Sequence, residues 1–234
     1  MAQKKAKSGI DIQSVMLFSL LIIFLGLGVF VLFDYIVKGD STSTTTQKVE
    51  NFDYANQPRI GKTTAPIKIM EFGDFKCPTC KFFHDEVYPQ LKKEYIDTGK
   101  VQMYFKNLQF LGKDSVTAGM VGESIYKLNN DAFWKYYDAI YQNQQDESKE
   151  WATPAFLLDL VKKHIPEVDV KRIEAELTAK TYEKAVVTES AEAQQKYKLT
   201  AVPSIYVNGK QLDNEVALSY PKLKAYLEKE LQAK

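Results

Sequence analysis

Cysteine and histidine are both scarce, with two of each in 234 residues. Two cysteines cannot form the disulfide network of a small secreted scaffold. Glycine and proline, 11 and 8 residues, are too few for a collagenous or low-complexity chain. An excess of one charge is missing as well. Lys and Arg number 31 against 30 Asp and Glu, a net charge of +1, and beyond the first seven residues no half of the chain is polybasic. That balance argues against a nucleic-acid partner. The chain is otherwise 45% apolar and 26% charged, an ordinary globular composition that excludes disorder as the whole answer.

One long apolar run is present. Ser14 to Phe33 is twenty residues without a charge. At about 1.5 Å per residue it spans roughly 30 Å, the thickness of a bilayer core. A single membrane anchor is therefore expected over residues 14–36. A cleaved signal peptide has a shorter core and an A-x-A-like site, and a soluble buried helix rarely lacks polar residues over such a length. No cysteine lies nearby, so a thioether-linked lipid anchor is excluded. Lys4, Lys5 and Lys7 would hold residues 1–13 in the cytoplasm and export the remainder, where disulfides persist. Residues 37–60, with STSTTT at 41–46, read as a flexible linker. The remaining stretch, 61–234, is long enough for one well-buried domain.

Within it, Pro66-IKIMEF is a short apolar run reading as a strand that ends near Gly73-Asp74. A helix is expected from Cys77 to Ile96, with Pro78 tolerated in its first turn and Pro89 kinking it. Val101-QMYF alternates as a second strand. A helical block then fills about 114–197. Asp114 or Ser115, Thr153 and Asp169 are its candidate caps, Pro166 is a stop, and Phe133, Trp134, Tyr137, Ile140 and Tyr141 form an apolar face read as core. Asn208-Gly209 between two β runs predicts a hairpin, and Ser219-Tyr220-Pro221 opens a last helix carrying Leu223, Leu227 and Leu231. The order predicts an α/β fold on a mixed sheet.

Both cysteines fall in Cys77-Pro78-Thr79-Cys80, directly after a strand and at a helix start. A thiolate there is stabilised by free N–H groups and the helix dipole. Cys77 sits on that end and is the expected attacking and leaving thiolate. Cys80, one turn in and more buried, is the resolving partner, while Pro78 and Thr79 stiffen the loop and supply a hydroxyl. A zinc site from Cys77, Cys80 and His84 needs a fourth ligand, and the only other histidine, His164, lies in another helix. Haem attachment requires histidine where Lys81 stands. A purely structural disulfide would close too small a loop to stabilise much. A redox pair leads. His84, four residues from Cys80, shares the cysteine face and is expected to be semi-exposed.

GKTTAPIKIMEFGDFKCPTCKFFHDEVYPQL resembles the opening of the DsbA-type thiol-disulfide oxidoreductases of the thioredoxin-like superfamily. FWKYYDAIYQNQ resembles that family's inserted helical domain, and AQQKYKLTAVPSIYVNG its run of helix, turn, cis-proline and strand. The resemblance covers about 59–234 and implies a thioredoxin-like domain from 61–112 and 198–234, with an inserted helical domain over 113–197. It implies that Pro203 is a cis-proline facing the cysteines, where Val202 offers its backbone to a substrate strand; an ordinary trans proline is the alternative. It implies that Glu71, six residues before Cys77, is a buried acid exchanging a proton with Cys80; a solvated strand-end acid is the alternative. The implied activity is donation of the Cys77–Cys80 disulfide to thiol-containing exported proteins at the cell membrane. No prosthetic group and no metal are required, and a quinone-linked membrane oxidase would restore the disulfide. The family's best-known oxidants carry histidine inside the motif where this chain has Thr79. An exported reductase or isomerase on the same scaffold stays open, as does a membrane-tethered binding protein or chaperone with a structural disulfide.

Overall fold

The computed structural model describes residues 49–233. The anchor expected over 14–36 lies outside them, and so does the first half of the expected linker. Among the described residues no helix is long and apolar enough to cross a membrane.

Five strands form one sheet in the order β1-β3-β2-β4-β5. They are β1 (Arg59–Ile60), β2 (Ile67–Gly73), β3 (Val101–Asn107), β4 (Ser204–Val207) and β5 (Lys210–Gln211). The two central strands, β2 and β3, run parallel with Glu71 opposite Phe105. β1 is antiparallel to β3, and β4 is antiparallel to both β2 and β5. The sheet is thus mixed, as the element order predicts.

Helix α1 joins β2 to β3. It consists of α-helical Pro78–Phe82 and Tyr88–Leu91, each followed by a π turn, Phe83–Val87 and Lys92–Ile96. The expected kink at Pro89 takes this form. Pro89 has no N–H to give, and in the turn before it the Tyr88 N–H reaches back five residues to the Phe83 carbonyl. Between β3 and β4 lie α2 (Lys113–Leu128), α3 (Asn130–Gln142), α4 (Pro154–His164), α5 (Val170–Thr178) and α6 (Glu183–Gln195). Thr153 caps α4 and Asp169 caps α5, each by side-chain acceptance of a backbone N–H. Asp114 and Ser115 do not cap α2, which starts from Gly112. Both side chains turn inward, because buried polar groups near the cysteines need them as partners.

After β4, Asn208 and Gly209 both take positive φ, 49° and 82°, and return the chain as β5. A Cβ on Gly209 would lie 2.3 Å from the Glu50 carbonyl oxygen, so only glycine fits. Short α7 (Asn214–Ala217) and then α8 (Tyr220–Gln232) end the fold, with Leu223 and Leu227 buried and Leu231 packed beside them.

The expected linker does not extend to residue 60. Phe52 is buried, its ring 5.0 Å from those of Tyr197 and Tyr206 and 5.6 Å from that of Phe72, and Arg59–Ile60 pairs with β3. A polar composition concealed one aromatic anchor. The pleat sends neighbouring β2 residues to opposite faces. Phe72 meets the Phe52 cluster, whereas Glu71 and its neighbour Phe105 face Phe133 and Tyr137 of α3.

Candidate active site

β2 ends at Gly73, and Asp74-Phe75-Lys76 carries the chain to the start of α1. The turn is fixed from several directions. Asp74 is buried and accepts from the backbone N–H groups of Lys76, Phe110 and Leu111 and from the Ser115 hydroxyl, at 2.7 to 3.0 Å. Burial raises its pKa against those hydrogen bonds. Lys76, 3% exposed, pairs with Asp114 at 2.7 Å, and the other oxygen of Asp114 accepts from the Ala152 N–H. Gln144, just past α3, donates to the carbonyls of Phe75 (3.0 Å) and Cys77 (3.1 Å).

Cys77 is the N-cap of α1, in extended conformation, with Pro78 at the first helical position. Cys77 and Cys80 are free thiols, 7% and 0% exposed, while Pro78 and Thr79 are exposed. The two sulfurs are chemically unequal. The Cys80 thiol donates to Cys77 and is the largest influence lowering the Cys77 pKa to about 7. Burial opposes this, the N–H groups of Cys80 and Thr79 assist, and the Asp74 charge opposes. Cys80 moves the other way, raised well above a free thiol by burial first and then by its bond and proximity to Cys77 and the charge of Glu71.

The Val202–Pro203 peptide is cis. It brings the Val202 carbonyl to 3.5 Å from Cys77 Sγ, so that the loop before β4 faces the first cysteine. Glu71 lies beneath the motif, fully buried. Its Oε2 accepts from the Tyr137 hydroxyl at 2.8 Å, and its Oε1 has no hydrogen-bond partner. Burial raises its pKa to about 8, opposed by the Tyr137 bond and by His84, and assisted by Cys77. The alternative of a solvated strand-end acid is therefore overturned.

His84 differs from the semi-exposed histidine expected. It is 5% exposed, among the rings of Tyr88, Tyr137 and Tyr141. The aromatic stripe of α3 folds over this side of α1 and covers it. Its nitrogens face Asp85 (2.7 Å) and Asp138 (3.1 Å), carboxylates rather than sulfurs. His164, the other histidine of the zinc alternative, ends α4.

Four polar contributors left little trace in the sequence: Tyr137, Gln144, Lys76 and Asp114. Only Tyr137 carried a signal, since a tyrosine inside an apolar stripe needs a partner for its hydroxyl. The others act across 38 to 69 residues of chain, which no local pattern encodes.

A thiol whose pKa is lowered at a helix end, a buried thiol beside it and a buried acid below form a set suited to thiol–disulfide exchange. Comparison with known proteins agrees. The family model described as Thioredoxin matches residues 54–229. A Bacillus cereus protein named "Probable disulfide bond formation protein D" is 45% identical over 183 residues, 78% of this chain and 82% of its own. "Disulfide bond formation protein D" of Bacillus subtilis is 38% identical over 76% of this chain and 78% of its own. The crystal structure of oxidised BdbD from Bacillus subtilis superposes with a TM-score of 0.73 at 34% identity, covering 80% of this chain and 98% of that one. Chlamydia trachomatis DsbA shares the fold, with a TM-score of 0.70 at 21% identity over 79% and 95% of the two chains. This chain belongs to the DsbA-type thiol-disulfide oxidoreductases of the thioredoxin-like superfamily.

Proposed function

We propose that this enzyme works on the outer side of the cell membrane and donates the Cys77–Cys80 disulfide to thiol-containing exported proteins. The observation that carries the direction is the inequality of the two sulfurs. A Cys77 thiolate favoured near neutral pH stabilises the dithiol product, which makes the disulfide a stronger oxidant. The relatives' names, disulfide bond formation protein D, support the same direction. The apolar run Ser14–Phe33 after Lys4, Lys5 and Lys7 supports the location.

In this reading a substrate thiolate attacks Sγ of Cys77, the less buried of the two cysteines. The Cys77–Cys80 bond breaks, and Cys80 leaves with the electron pair and takes a proton from Glu71 through a bridging water. A second substrate thiolate then attacks the substrate sulfur of the mixed disulfide. Cys77 departs as a thiolate, stabilised by the Cys80 thiol and the N–H groups of Thr79 and Cys80. Pro78 and Thr79, exposed beside Cys77, and Val202 across from it would line the substrate's approach. The two electrons gained would pass to a quinone-linked membrane oxidase.

The test is to trap the intermediate with a reduced, unfolded protein as substrate. Cys77→Ser should abolish oxidation, and Cys80→Ser, charged beforehand on Cys77 as a mixed disulfide with 2-nitro-5-thiobenzoate, should exchange with a substrate thiol, release thionitrobenzoate and accumulate a mixed disulfide with the substrate. Equal trapping by both variants would contradict the assignment of roles.

A further inference from the structure

Glu71 alone does not account for the chemistry beneath the cysteines, because something must set when it holds its proton. We propose that His84 and Tyr137 are positioning residues that set the protonation of Glu71, and with it the pH range in which Cys80 exchanges its proton. The inference rests on the Cys77–Cys80 redox cycle and on Glu71 as proton partner, and it holds for either direction of electron flow.

The geometry assigns His84 a charge. Its Nδ1 faces Asp85 Oδ1 at 2.7 Å and its Nε2 faces Asp138 Oδ1 at 3.1 Å. A neutral imidazole carries one N–H and cannot donate to two carboxylates; an imidazolium can. The raised pKa of His84 agrees, because the two carboxylates outweigh a burial that acts against the charge. The ring centroid of His84 is 5.5 Å from that of Tyr137, whose hydroxyl donates to Glu71 Oε2 at 2.8 Å. Glu71 Oε1 stays free of hydrogen bonds, 3.3 Å from where a Cβ on Gly73 would lie. One carboxylate oxygen is thus occupied by Tyr137, and the other is available to carry a proton.

The charged and titratable surroundings are few. From β2 comes Glu71, from the turn after it Asp74, from α1 come Cys80, Lys81, Asp85 and Tyr88, and from α3 come Asp138, Tyr137 and Tyr141; Cys77 lies at the start of α1. Lys81 is held away by the second oxygen of Asp85 (2.8 Å) and the Tyr141 carbonyl (2.9 Å). His84 and Tyr137 both favour the Glu71 carboxylate against its burial. Without either, Glu71 would keep its proton to higher pH.

The consequence falls on the step in which Cys80 acts as nucleophile. From a mixed disulfide at Cys77, the Cys80 thiol gives its proton, through a bridging water, to the Glu71 carboxylate as its sulfur attacks Cys77 Sγ. The new S–S bond forms, the bond to the bound partner breaks, and the partner leaves as a thiolate that takes a proton from water. Electrons and protons balance, and the oxidant is the mixed disulfide itself.

The experiment measures glutathione release from full-length protein carrying one glutathione on Cys77, as a function of pH. Wild type, His84→Gln, Tyr137→Phe, Glu71→Gln and the Glu71→Gln/His84→Gln double variant are compared, with thermal unfolding as a check on folding. The expected result is a rate midpoint moved up by about one pH unit in His84→Gln and in Tyr137→Phe, the scale expected when a neighbouring charge or a hydrogen bond is removed. Glu71→Gln should abolish that inflection, and the double variant should match Glu71→Gln. Folded single variants with an unmoved midpoint, or independent effects in the double variant, would overturn the inference. An inflection that survives Glu71→Gln would instead remove Glu71 as the proton partner. Failure of wild type to release glutathione would remove the redox cycle itself.

Discussion

Glu71 is an acid buried against aromatic rings, and its proton is linked to folding as well as to chemistry. Its pKa rises from 4.5 in the open chain to about 8 in the fold. A raised carboxyl stabilises the fold fully below pH 4.5, and that contribution is lost as pH rises towards 8. The span corresponds to on the order of a few kcal/mol. Glu123, raised to about 7 by burial and the neighbouring Glu189, adds a slope of the same sign. Denaturant titrations of the reduced protein should show a loss of stability between pH 5 and 8, and Glu71→Gln should flatten that loss without abolishing it. An unchanged slope would contradict the buried acid.

Among the elements, the turn between β2 and α1 shows how the helices between β3 and β4 serve the site. Lys76 beside Cys77 pairs with Asp114 of α2, and Gln144 after α3 holds the carbonyls on either side of Lys76. The pair is buried on both sides, so removing one partner strands a charge. Asp114→Asn should cost about 3–5 kcal/mol of stability. Lys76→Met combined with Asp114→Leu should recover much of that loss, and equal losses in both would show that packing rather than charge is at stake. The elements themselves were legible in the sequence. A short apolar run marked β2, alternation marked β3, Asn208-Gly209 marked the hairpin, and Thr153 and Asp169 marked helix starts. Cys77 and Cys80 stood out by their spacing. The contacts between elements were not legible. The inward turn of Asp114, the Tyr137 bond to Glu71 and the burial of His84 depend on how α2 and α3 pack on α1. Phe52 was hidden because two aromatics in a polar stretch, Phe52 and Tyr54, are too few to leave a periodic signal.

The whole molecule combines a redox domain with an N-terminal segment whose sequence suits a bilayer. Full-length protein should sediment with membranes and resist salt and alkaline washing, and the chain beginning at residue 49 should not. Recovery of full-length protein in the soluble fraction would contradict the proposed anchor. Direction of electron flow is also a property of the whole, because it is the free-energy difference between two forms of the folded protein. About 30 mV corresponds to roughly 1.4 kcal/mol for a two-electron couple. The most direct test of disulfide donation is the reduction potential of Cys77–Cys80, equilibrated in glutathione buffers and read by alkylation. A disulfide donor should lie near about −120 mV, the range of strong oxidants, whereas a value near about −270 mV would mark a reductase and contradict the account.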